Sequence, residues 1–178
     1  MQVFEKREVP VVGQGERSSS ARSGLHLLDD GERQDRLRRL FWPGVRVLGA
    51  LSLLAVGAVH LQQYNTLYSA IPTIGSLFLL NFLGATAIGL GLLAPVERLL
   101  GRWGAAAVTL LALAGVALAA TAFVFLLISE RTPLFGFMEP GYDPRAIMTA
   151  RVAELATIGL LGSFLVARLG RKVGMGRR

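Results

Sequence analysis

Arg151 and Glu154 stand three positions apart in an otherwise apolar run, and Glu154 is the only acidic residue placed deep in any such run. On a helix that spacing puts both on one face, where they can pair. An ionised carboxylate facing hydrocarbon costs several kcal/mol, so Glu154 is predicted to point inward, with Arg151 as its partner or snorkelling towards the interface. Such a carboxylate can hold a proton or meet the polar head of a ligand. Asn81, Thr121, His60 and Tyr64 add an amide, a hydroxyl, an imidazole and a phenol in neighbouring runs. Two chemistries fit these six residues. Asn81, Thr121, Arg151 and Glu154 form a structural clasp of hydrogen bonds between helices, worth about 0.6 to 2 kcal/mol each, or the group forms a proton or ligand site. The residue types leave both open.

The elements that would position them are four apolar runs, 43–62, 74–94, 104–127 and 147–167. Each reaches the roughly 20 residues that a helix needs to cross a bilayer core of about 30 Å. With 52% apolar residues in a chain of 178, the composition exceeds what a soluble core requires. The fold class read from this is all-α, a membrane-embedded four-helix bundle. At 1.5 Å per residue, Asn81 and Glu154 both fall roughly 10 Å below the outer boundary, Thr121 about 9 Å and Arg151 about 6 Å. His60 lies near the interface. Small residues recur in the first three spans, and the alanine-rich third is predicted to be the most enclosed, because small side chains let helices approach closely.

Between the first two spans, His60 to Asn81 carries no charge and holds Tyr64 and Tyr68. This suits a short extracytoplasmic turn with interfacial aromatic rings. The connector 129–146 is the longest internal one. Its Pro133, Pro140 and Pro144 preclude a continuous helix, and Phe135, Phe137 and Tyr142 predict that it folds back over the outer mouth of the bundle.

The net charge of +7 comes from 19 Lys and Arg against 12 Asp and Glu. These cations gather before the first span, in the hairpin with Arg98 and Arg102, and after the fourth span. That distribution points to a membrane address rather than nucleic acid. It predicts a multi-pass protein of the bacterial inner (cell) membrane with both termini cytoplasmic. Residues 1–24 are polar, lack apolar periodicity and are expected to be a disordered tail. Residues 25–42 form a basic amphipathic segment in which Arg33, Arg36, Arg38, Arg39 and Trp42 anchor to lipid, each cation contributing about 1 kcal/mol near an anionic surface. Residues 168–178 make a basic cytoplasmic tail.

Cysteine is absent and only His26 and His60 supply imidazole, which argues against disulfides, iron–sulfur clusters and haem held by two histidines. No metal is expected. The passage of His60, Tyr64, Ile71-Pro72, Ile74-Gly75 and Leu77-Phe78-Leu79-Leu80-Asn81, with Leu134-Phe135-Gly136-Phe137 and the Glu-containing fourth span, resembles an uncharacterised group of four-span integral membrane proteins of actinobacteria. A looser likeness to DoxX-type proteins lies in the architecture. The resemblance implies a four-span fold and no particular activity. Two functions follow from the residues. One is a non-enzymatic accessory or scaffold subunit that meets a membrane-protein partner or a second copy of itself through small-residue faces. The other is a small enzyme or carrier that binds a quinone, a lipid or another amphipathic ligand in the outer half. A channel or transporter finds no inverted repeat to build on.

Overall fold

The computed structural model describes the backbone of residues 15–139 and 141–175 and the side chains of residues 41–139 and 141–170. The chain divides into two compact units, Met1–Phe41 and Trp42–Arg178. In the first unit the described backbone is helical from Gly15 onwards, within the stretch for which composition predicts no regular structure. Its Ser, Ala, Glu and Arg residues carry only modest helix penalties. Residues 1–14 and the side chains of Arg33, Arg36, Arg38 and Arg39 lie outside the described residues.

The second unit is all-α, and this is an integral membrane protein by the length and apolarity of its helices. Helix α1 (Gly15–Thr66) enters this unit at Trp42. It is followed by α2 (Pro72–Leu93), the four-residue α3 (Val96–Leu99), α4 (Gly104–Ser129) and α5 (Pro144–Met175). Four stretches are long and apolar enough to cross a bilayer, Phe41–Thr66, Pro72–Leu93, Gly101–Ser129 and Pro144–Gly170. Two 3-10 turns, Tyr68–Ala70 and Gly101–Trp103, close the tight connections. The first takes Tyr68 off the helical face that His60 and Tyr64 share. Pro72 opens α2, where its missing N–H has no intrahelical acceptor to lose.

The helices approach closely where glycines face bulky neighbours. A Cβ on Gly49 would lie 2.5 Å from Leu161 Cδ2, and one on Gly89 would lie 2.8 Å from Leu54. Gly115 admits both Leu161 and Leu53. The hydrophobic core gathers at the end of the bundle nearest the α2–α4 hairpin, around Ala50, Leu92, Val108, Ala112, Leu161 and Phe164. At that end Arg168 donates to Glu97 Oε1 at 3.1 Å and to the Ala105 carbonyl at 2.9 Å, and Arg46 approaches Glu97 Oε2 at 3.5 Å. Glu97 is half exposed, so these pairs contribute little.

Helix α4 is not the most enclosed. Only 17% of its most apolar window is buried, against 33% for the first and fourth spans. Ala112, Gly115 and Ala119 are buried against its neighbours, while Ala105, Ala106, Ala114 and Ala117 face outward with Leu110, Leu113, Val124 and Ile128. Small residues permit close approach, but which faces are used depends on where the neighbours stand.

Candidate functional site

At the opposite end, the connector after α4 folds back over the mouth of the bundle. Leu134 and Phe137 exchange backbone hydrogen bonds of 2.7 and 2.9 Å around a tight turn. Both central residues have positive φ, 51° at Phe135 and 80° at Gly136. Glycine adopts this conformation freely, and phenylalanine does so at a cost of about 1–2 kcal/mol. Phe135 reaches Phe125 of α4 edge to face at 6.2 Å. Phe137 lies edge-on to Tyr68 at 5.5 Å, and Tyr68 stacks on Phe78 of α2 at 4.5 Å.

Glu139 pins this connector. Its own N–H donates to the Ser129 carbonyl at 2.8 Å. Its buried carboxylate accepts hydrogen bonds from the Tyr68 hydroxyl and from the N–H groups of Gly141 at 2.9 Å and Tyr142 at 3.1 Å. Burial, then the Glu139 carboxylate, pushes the Tyr68 phenol above the ordinary tyrosine range. One turn further, the N–H of Ala146 and the side-chain amide of Gln63 both donate to Asp143 and hold its carboxyl below the usual range. Each carboxylate is satisfied by neutral donors.

Beneath this cover lies a cavity of about 250 Å³ among α1, α2, α4 and α5. Its walls are mostly apolar, with Leu77, Phe78, Leu118, Phe125 and Ile147 among them. The sequence candidates His60, Asn81, Thr121 and Glu154 all line it. Tyr64 and Arg151 do not. Tyr64 turns its ring edge towards Gly75, where an added Cβ would meet it at 3.5 Å. Arg151 pairs instead with Glu130, just past the C-terminus of α4. The expected Arg151–Glu154 pair does not form, because the longer reach to Glu130 lets the guanidinium leave the interior, where its charge is costly to bury.

Glu154 is 1% exposed, and no protein group hydrogen-bonds its Oε2. The Oδ1 of Asn81 across the cavity is likewise buried without a partner. The expected clasp of Asn81, Thr121, Arg151 and Glu154 is therefore not a hydrogen-bonded network in this structure. The polar contact between α1 and α5 is made instead by Ser52, which donates to the Ala153 carbonyl at 2.9 Å; Thr157 donates to the same oxygen at 2.8 Å. His60 donates from Nδ1 to the Val56 carbonyl at 2.9 Å. In the neutral ring this leaves Nε2 as an acceptor.

Sequence reasoning did not single out Gln63, Ser129, Glu139 or Asp143, which line the cavity as well. A carboxylate next to Pro140-Gly141 in an apolar connector was the available signal for Glu139. Among the described residues no three His, Asp or Glu side chains converge on a position that would hold a metal ion. The chain matches no known protein family, no curated protein and no solved structure.

Proposed function

We propose that this membrane protein binds an amphipathic small molecule in the cavity between its four helices. The carrying observation is the buried Glu154, whose Oε2 has no partner, on the wall of a mostly apolar cavity. Buried polar groups left unpaired are costly, and a few convergent polar groups in an apolar pocket are the usual form of a ligand site. The alternative of an accessory subunit docking through small-residue faces draws less support. Gly49, Gly57, Gly84, Gly89, Gly91 and Gly115 all meet neighbours within the chain. The arginine distribution supports an orientation with both termini cytoplasmic, which would put the cavity in the outer half.

Titration of the detergent-purified protein with a neutral, environment-sensitive lipophilic dye tests the reading. Saturable fluorescence is expected, and Ala150→Phe, which fills the cavity from α5, should remove it. Binding that does not saturate, or that survives the plug, would overturn the proposal.

A further inference from the structure

The ionisable groups that line the cavity, apart from His60 and Tyr68, are all acidic. Its lining includes the carboxylates of Glu139, Asp143 and Glu154 and neither lysine nor arginine. Three arginines stand outside the lining: Arg151 is held by Glu130 and also acts electrostatically on Glu154, Arg145 is exposed and acts on Asp143, and Arg131 is exposed. Glu139 and Asp143 receive hydrogen bonds from a phenol, an amide and backbone N–H groups. These donors satisfy lone pairs without cancelling charge. The two buried side-chain atoms on the wall that lack partners, Glu154 Oε2 and Asn81 Oδ1, are both acceptors. Such a wall calls for a donor carrying positive charge. It disfavours a fatty acid or a phosphate, whose anion would meet the carboxylates of Glu139 and Asp143 and the buried carboxyl of Glu154, and it gives little to a ligand head that only accepts hydrogen bonds.

The aromatic lining points the same way. Tyr68, Phe78 and Phe137 form one stacked and edge-on group, and the negative face of such rings attracts ammonium groups. The cavity also reaches the bilayer-facing surface. Leu80 of α2 is 63% exposed and Thr121 of α4 is exposed, yet both line the cavity. A ligand dissolved in the hydrocarbon layer therefore has a side passage between α2 and α4, while the pinned connector covers the end.

We infer that the cavity selects lipophilic cations, molecules with an apolar aryl or alkyl body and an ammonium head that sits between Glu154 and Asn81. This rests on the cavity being a ligand site, and the test separates the two claims. Three probes share a phenylbutyl body and differ in the head, ammonium, hydroxyl or carboxylate. Their binding is measured by titration calorimetry in a mild nonionic detergent, with circular dichroism to verify the fold of each variant.

The ammonium probe should bind at least about tenfold more tightly than the hydroxyl probe, and the carboxylate probe should not bind measurably. Glu154→Gln keeps the shape and removes the group that can carry a negative charge opposite an ammonium head. It should weaken the ammonium probe about tenfold or more and leave the hydroxyl probe within about twofold. Ala150→Phe, or Ala122→Phe on α4 if the first does not fold, should abolish both. If the hydroxyl probe binds and is blocked by the plug but the ammonium head brings no gain, or Glu154→Gln leaves that gain intact, the cation assignment fails and the ligand site stands. If none of the three probes binds in a plug-sensitive way, both fail.

Discussion

Replacing Glu154 by methionine should make the protein more stable. The side chain is 1% exposed and its Oε2 has no protein partner. A buried polar group left unpaired costs about 1–3 kcal/mol. An apolar side chain of similar volume removes that cost without opening a void, as happens when buried ionic groups are replaced by hydrophobic ones. Arg151 keeps its pair with Glu130 and loses only its longer-range attraction to Glu154. At roughly 2–4 °C per kcal/mol for a chain of this size, the midpoint should rise by about 2–12 °C. Thermal unfolding of the detergent-purified protein without added ligand, followed by far-ultraviolet circular dichroism, reads this directly. Glu154→Ala is the control, since it also removes the carboxylate but enlarges the cavity and should forfeit the gain. A methionine variant that melts below the wild type would show that Glu154 is held by partners, and the unpaired-acceptor reasoning would be refuted. A more stable variant that no longer binds ligand would be the expected trade of stability for function.

Tyr68→Phe removes a hydrogen bond to a charged acceptor and should cost about 1.5–3 kcal/mol, with faster proteolytic cutting of the connector after α4 as the local readout. Because the folded protein raises the Tyr68 phenol above its ordinary value of 10.0, its contribution is complete below that value. It is lost as pH rises beyond it, so the wild type should lose stability in alkali more steeply than Tyr68→Phe. Asp143 has the opposite sign. Its carboxyl is held below the ordinary 3.8, so its contribution is present above that pH and fades as pH falls further, and Asp143→Asn should flatten the acid limb of the melting profile. Gly104→Ala would bring a Cβ to 2.4 Å from the Glu97 Cα, a backbone atom that cannot swing away, whereas a Cβ on Gly159 meets nothing within 4 Å. The first should cost about 1–3 kcal/mol in a denaturation series and the second should be neutral or slightly stabilising. For the orientation, single cysteines introduced at Ser69 and Thr132 should react with an impermeant reagent in intact cells and one at Ser19 should not; the reverse pattern would invert the topology.

The spans were legible in the sequence because crossing a bilayer is a requirement on consecutive residues: length and apolarity suffice, and no partner needs to be known. Glu154 was legible for the same reason, since a carboxylate within such a run is conspicuous wherever the helix stands. So was the covering connector, through its prolines and aromatic residues. What each polar group meets was decided only by the tertiary structure. Arg151 and Glu154 share a helix face by spacing, but the end of α4 brings Glu130 within reach and takes the guanidinium. Tyr68 and Glu139 are 71 residues apart, and no local pattern pairs them. Helix α4 is apolar all round, so its sequence could not say which alanines would be buried or which leucines would face lipid. In a bilayer both faces are apolar, and the helical periodicity that marks the buried side of a soluble helix is weak. The rotation of each helix about its axis, and with it the set of side chains that line the cavity, is set by the packing of glycines such as Gly49, Gly89 and Gly115 against leucines of other helices.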